Sequence, residues 1–333
     1  MPITKHVTGT ATDDQDLYAK LITFLTTDAD LVTAGENWTE VWDHASGDED
    51  GIVLEGPGLS GTDQVFVGMR LVRDIPGDTY DLELHGMTGF LSGAVDVTDH
   101  VNVMPTNAVV FLDSGSMTYW FMASGRHFIV VTKITTVFGC GYAGWFLPFG
   151  TPSEYPYPMF IGGSAGPYAG PGNTGSPESW RDAVAGHSLF PWPVIDTSFG
   201  GGGTYASSAY LLDPSGNWMT LTNVGTQMGG TVGPVYTRGS RYLLSGDTIG
   251  LFNPVEGHDR LMDCYGGDKM IFPMTLYETN SGSQTYGALD GVFKCQGIGV
   301  GAEDLITLAG TNHLVVQNAF RTGFSDYFCV ELS

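Results

Sequence analysis

The sequence predicts a mainly β protein: a small N-terminal α+β region, then a β-sandwich or jelly-roll-like domain with long ordered loops. Three observations carry that expectation. Glycine and proline number 48 and 17 among 333 residues, a turn-rich composition. Hydrophobic residues reach 42% and aromatics 12%, too apolar for a disordered chain. Only one segment has helical periodicity, whereas β-branched and aromatic runs bounded by turn residues recur along the chain.

The helix is expected from about Asp13 to Thr26. Thr12-Asp13-Asp14-Gln15 fits a capping box, with Thr12 as N-cap and Gln15 reaching back. Asp13, Asp14 and Asp16 suit the positive end of the helix dipole, which explains this acidic cluster without a metal. Leu17, Leu21, Phe24 and Leu25, flanked by Tyr18 and Ile22, form the apolar stripe. Two hairpins come next. Gln64–Arg70 and Thr79–His85 read as strands, the second with strict alternation, around the turn Asp74-Ile75-Pro76-Gly77-Asp78. Met117–Ala123 and His127–Ile134 pair across Ser124-Gly125-Arg126. Short strands return after Tyr205 and run to Cys329–Leu332, with no repeat of 20–50 residues.

Charge divides the chain. There are 36 acidic and 13 basic residues, a net charge of −23, yet only 15% of residues are charged. Residues 1–100 hold 19 acids and 4 bases, and residues 101–333 hold 17 and 9. The expected domains match that shift: an acidic α+β region over 1–100, and over 101–333 a β-sandwich-like domain bearing a Gly/Pro/aromatic-rich arm at about 139–203. Such a surface repels phosphate, so nucleic acid is not an expected partner. No apolar run approaches the ~18–20 residues that span a bilayer, and the first residues lack the apolar core of a secretory leader. Cys140, Cys264, Cys295 and Cys329 are too widely spaced for a metal knuckle and are expected as free or buried thiols, with disulfide pairing the alternative for a chain that leaves the cell.

The arm concentrates aromatic residues, and a disordered linker would not carry them. Trp145, Phe146, Phe149, Tyr155, Tyr157, Trp180 and Trp192 are its candidate contact residues. Three roles compete for them: a platform for the apolar faces of sugars, a subunit interface, and ordinary core packing.

Motifs of chemistry are weak. Gly162-Gly163-Ser164-Ala165-Gly166 matches the nucleophile-elbow pattern, but Pro167 and Pro171 deny it the helix that should come after it. Gly297-Ile298-Gly299-Val300-Gly301 lacks the last spacing of a dinucleotide fingerprint. Asp48-Glu49-Asp50-Gly51 resembles half of a calcium loop with no closing Glu. The eight histidines stand singly, without ligand spacing. No catalytic residue, metal ligand or cofactor is therefore expected, and the chain is not expected to be an enzyme.

The block Ser116–Lys133, with Trp120-Phe121-Met122-Ala123-Ser124-Gly125-Arg126 at its centre, resembles a block in tailed-bacteriophage virion structural proteins. Gly144–Pro158, containing Leu147-Pro148-Phe149 and Tyr155-Pro156-Tyr157-Pro158, and then Gly162-Gly163-Ser164, is similar to a run in the same group. Leu54–Gly61 near the start and Asn318–Thr322 with Asp326–Phe328 near the end also look like these proteins. The resemblance implies a particle component of neck, collar, tail or baseplate, assembled in the bacterial host cytoplasm and residing in the virion. Its implied partners are further copies of itself and other virion proteins, and it brings no catalytic residues. The alternative is a tail-tip or baseplate receptor-binding protein that grips host glycan through Trp145, Trp180 or Trp192.

Overall fold

Strand β1 (Lys5–Ala11) leads into helix α1 (Asp14–Thr27). In the computed structural model, which describes residues 5–46, 49–58, 63–76, 78–164, 168–170, 173–176, 209–220, 235–238, 271–278, 284–295, 299–317 and 327–333, this helix and its cap each lie one residue later than expected. Asp13 is the N-cap, accepting the Asp16 amide at 2.8 Å, and Asp16 accepts the Thr12 amide at 2.8 Å. The reciprocal exchange is thus made by two carboxylates in place of Thr12 and Gln15. A charged acceptor binds an orphan N–H more strongly than a hydroxyl does, which moves the cap. The predicted stripe of Leu17, Tyr18, Leu21, Phe24 and Leu25 is buried, each side chain worth about 1.5–3 kcal/mol relative to exposure. A second short helix, α2 (Ala29–Ala34), is capped by Asp28 and stops at Gly35, whose φ of 68° suits glycine.

Strands β2 (Thr39–Ser46), β3 (Glu49–Gly56), β4 (Val65–Asp74), β5 (Thr79–Met87) and β6 (Ala108–Phe111) form an antiparallel meander, the N-terminal sheet. The expected hairpin is here, in register from Phe66↔Met87 to Asp74↔Thr79. The other expected hairpin, β7 (Met117–Ala123) with β8 (His127–Ile134), pairs Thr118↔Lys133 through Ala123↔Phe128. It belongs to a central sheet, which also contains β9 (Val137–Trp145), β11 (Met159–Gly162), β14 (Ala209–Leu212) and β15 (Trp218–Thr220) in the order β1-β7-β8-β9-β11-β14-β15. A two-residue strand, β10 (Leu147–Pro148), leaves it to pair with β18 (Gln284–Lys294). The third sheet runs β16 (Val235–Arg238), β17 (Phe272–Glu278), β18, β21 (Tyr327–Leu332), β20 (Thr311–Gln317), β19 (Leu305–Leu308). A separate hairpin joins β12 (Tyr168–Gly170) and β13 (Asn173–Ser176). The mainly β fold with its N-terminal helix is as the sequence predicts.

The central sheet is buried on both faces. Side chains alternate along its strands, so Tyr119, Phe121, Phe128, Val130 and Ile161 face helix α1 and the N-terminal sheet. Trp120, Met122, Ile129, Val131 and Phe160 face Met274, Leu276, Leu289, Val292 and Val330 of the third sheet. Pairing crosses residue 100 in both directions: β1 joins β7 in the central sheet, and β6 returns to β5 in the N-terminal one. The acidic N-terminal region is therefore woven into the β-rich remainder of the chain.

One expectation is corrected. The arm expected as irregular loops from about residue 139 begins as a core strand, β9, and continues through β11. Its glycines are packing residues. A Cβ on Gly139 would lie 2.4 Å from Thr132 Oγ1, and one on Gly141 would lie 2.5 Å from Val110 Cγ2. Bare backbone on this face lets the N-terminal sheet approach closely, while Phe138, Cys140 and Tyr142 fill the opposite face.

Candidate functional site

The segment that carries the predicted aromatics crosses between sheets. At Trp145 the chain leaves the central sheet, spends two residues as β10 on the third, turns over 149–158, and re-enters as β11. Gly287 allows that crossing, because a Cβ there would stand 2.1 Å from the Leu147 carbonyl and 2.6 Å from the Phe146 ring. The turn is held from within. The Phe149 amide donates to Tyr286 O at 2.9 Å, and the Phe146 amide donates to Pro158 O at 2.9 Å. Glu154 accepts the Thr151 amide at 2.9 Å and the Thr151 hydroxyl at 2.8 Å, which holds its carboxyl below the usual carboxylate range. Tyr155 donates its hydroxyl to Leu212 O, and its ring meets Phe146 edge-on at 5.4 Å.

This anchoring sorts the candidate residues. Trp145, Phe146 and Tyr155 are buried inside the chain, so their role is core packing. Phe149 is 64% exposed and Tyr157 40%, and the two project from the turn into solvent. Tyr157 leans edge-on against Trp145 with ring centres 6.4 Å apart. Trp180 and Trp192 lie outside the described residues.

Beneath the turn lies a buried polar cluster that sequence reading missed. Ser124, Arg126 and His127 come from the β7–β8 turn, Tyr142 from β9 and Asp290 from β18. His127 Nδ1 is 3.2 Å from Ser124 Oγ, and its ring stacks on Tyr142 at 4.9 Å. Arg126 donates to Phe146 O at 3.3 Å, and Tyr142 donates to Trp145 O at 2.8 Å. The His127 pKa is pushed down to about 4, first by burial and further by Arg126, against the pull of Asp290. Burial, reinforced by Asp290, raises the Tyr142 phenol well above its ordinary value. Serine, histidine and aspartate are residue types of nucleophilic catalysis, but Ser124 is 1% and His127 0% exposed, sealed from any substrate. In this arrangement Ser124 and His127 brace the β7–β8 hairpin from within, with Asp290 of the third sheet beside them. The Ser-Gly-Arg-His run of the β7–β8 turn was the only local signal.

The same turn receives the chain from the other side. Trp38 donates its indole N–H to Ser124 O at 2.9 Å, the Gly125 amide reaches Glu36 at 3.0 Å, and Gly58 donates to Gly125 O at 2.8 Å. The segments Leu54–Gly61 and Ser116–Lys133 therefore touch.

Ser164, the serine of the elbow-like motif, is committed to backbone: it accepts the Cys140 amide at 2.6 Å and donates to Cys140 O at 3.1 Å. Gly163 lies so close to Val109 that a Cβ would meet its amide nitrogen and carbonyl oxygen at 2.5 Å each. The motif is thus a point of sheet contact. Cys140, Cys295 and Cys329 are buried thiols. Among the described residues no cluster of His, Cys, Asp or Glu is arranged to hold a metal ion. No protein-family model matches the chain, and no curated protein is found similar to it.

Proposed function

We propose that this chain is a structural subunit of a tailed-phage virion, assembling into a homo-oligomeric ring or collar at the neck or tail. The observation that carries the reading is the turn over 149–158, anchored inside by Phe146 and Tyr155 and tipped outside by Phe149 and Tyr157. A preformed turn with exposed aromatic tips binds a neighbouring subunit with little loss of conformational freedom, and aromatics dominate the energy of such contacts. The resemblance of this segment to virion proteins supplies the kind of neighbour. The glycan-gripping alternative keeps Phe149 and Tyr157 but loses Trp145, whose ring is too buried to offer a face to a sugar.

The mass of the purified full chain, by size exclusion with light scattering, tests the proposal. A ring-sized species is expected for the natural chain and a protomer-sized one for Phe149→Ser/Tyr157→Ser, with unfolding temperature unchanged. A natural chain that stays monomeric at high concentration, or a double variant that still assembles, refutes the reading.

A further inference from the structure

The connection between β5 and β6, residues 88–107, straps the outer face of the N-terminal sheet. A surface loop ordinarily turns its polar side chains outward. This one leaves Ser92, Thr98, Asp99 and Asn102 outside but turns two polar groups toward the sheet while four apolar side chains face solvent. Asp96 turns in to Arg70 at 3.2 Å, and Arg70 is also held by Glu83 at 2.7 Å. His100 is buried, accepting the Leu91 amide at 3.0 Å and meeting Trp42 edge-on. Val97 plugs the apolar cluster of Val53, Phe66 and Met87. Outward stand Phe90, Leu91, Val95 and Val101, at 37%, 48%, 72% and 42% exposure.

These four residues share one small surface. Gly89 and Val101 exchange a backbone bridge, Leu91 sits beside His100, and a tight turn returns Ala94 N to Leu91 O at 3.1 Å. Trp42 fixes that turn from below by donating its indole N–H to Ala94 O at 3.2 Å. The patch is therefore preformed, as a docking surface needs to be.

Charge selects what it fits. The strap contains Asp96 and Asp99 and no lysine or arginine. The nearby cation, Arg70, already faces two carboxylates. With 19 acids against 4 bases in residues 1–100, a second copy, nucleic acid or anionic membrane would meet like charge. We infer that the strap is a docking surface for a different polypeptide, one presenting apolar side chains set among lysine and arginine. This inference is independent of the ring reading, which uses the turn over 149–158.

The test uses the full chain and two labelled amphipathic helical peptides, one of Lys and Leu, the other of Glu and Leu in the same pattern. Binding is measured by fluorescence anisotropy and located by amide hydrogen exchange. The Lys/Leu peptide is expected to bind, to protect amides over 89–101, and to weaken with added salt. Leu91→Ser/Val95→Ser keeps every charge and is expected to weaken it about tenfold or more, with unfolding temperature unchanged. Equal affinity for the double variant would show that charge alone attracts the peptide and overturn the inference. Equal binding of the Glu/Leu peptide would overturn the charge argument. Self-association of the natural chain that disappears in Leu91→Ser/Val95→Ser would assign the patch to a second copy and overturn the choice of partner.

Discussion

Replacing Gly141 by alanine tests the double burial of the central sheet at its tightest point. The added methyl would lie 2.5 Å from Val110 Cγ2, 2.7 Å from Leu84 Cδ1 and 3.3 Å from Gly162 O. Val110 and Leu84 are 0% exposed, with packed neighbours and no open side to rotate into. The Gly162 oxygen is main chain and cannot yield without moving β11. Ordinary contact begins at 3.4 Å, so the N-terminal sheet must withdraw by about 0.9 Å at this point. Overpacking of this kind costs about 1–3 kcal/mol. At about 2–4 °C per kcal/mol for a large domain, the unfolding temperature should fall by roughly 5 °C in scanning calorimetry. Gly93→Ala is the control, since nothing lies within 4 Å of its added methyl. Its effect should stay within about 0.5 kcal/mol. Equal unfolding temperatures for the two variants would refute the packing of β9 between layers and return its glycines to the status of loop residues.

Three further outcomes are expected. Acid should destabilise the fold through His127: above pH 6.5 folded and unfolded histidine are both neutral, but below it the unfolded chain takes up a proton that the folded one refuses until about pH 4. The loss amounts to about 3 kcal/mol across that window, and chemical denaturation of His127→Phe should show a shallower pH slope there; an unchanged slope refutes the assignment. Arg73→Met strands the carboxylate of Asp14, which is 1% exposed and 2.9 Å from the guanidinium. The cost should be about 3 kcal/mol by denaturant unfolding, recovered largely by adding Asp14→Asn and reduced as falling pH neutralises Asp14; a double variant no better than the single one refutes the pairing. Phe146→Ala, unlike changes at Phe149 and Tyr157, should lower stability by about 3–5 kcal/mol while leaving the assembly state of the folded protein alone; loss of assembly at full stability would place Phe146 at an interface.

The helix and the two hairpins were legible locally, because each is written in consecutive residues. The stripe from Leu17 to Leu25 and the strand-turn-strand pattern around Asp74–Asp78 need no distant partner to be recognised. Strand β9 was hidden by the same logic. Gly139 and Gly141 read as loop residues until their neighbours, Thr132 and Phe111 at the first and Val110 and Leu84 at the second, explain why no side chain fits. The aromatic segment was seen but could not be sorted, since the sheet-to-sheet crossing at β10 decides that Phe146 turns in and Phe149 turns out. The polar cluster was illegible because Asp290 reaches His127 and Tyr142 only when the third sheet docks. The strap was equally hidden: its sequence, Thr88–Asn107, is an ordinary turn-rich loop until Arg70 engages Asp96 and Trp42 meets His100.

The layered core has a consequence for where function can reside. The central sheet is covered on both faces, with strands such as His127–Ile134 apolar on each side, so most of its surface is given over to packing. The connections are then the parts that reach solvent with large side chains. The 149–158 turn and the strap obey one construction: a connection clamped from inside by hydrogen bonds or ion pairs, with its large side chains turned to solvent. In the turn the clamps are Tyr155, Glu154 and the Phe149 amide, and the tips are Phe149 and Tyr157. In the strap the clamps are Asp96, Asp99 and His100, and the tips are Phe90, Leu91, Val95 and Val101. Because each clamp lies inside the protomer, its energy is already realised before any partner arrives, so substitutions at the tips should change association without changing folding. That separability makes the tip variants decisive. A tip substitution that unfolded the protein would show that the residue serves the core, and the interface reading for that connection would fall.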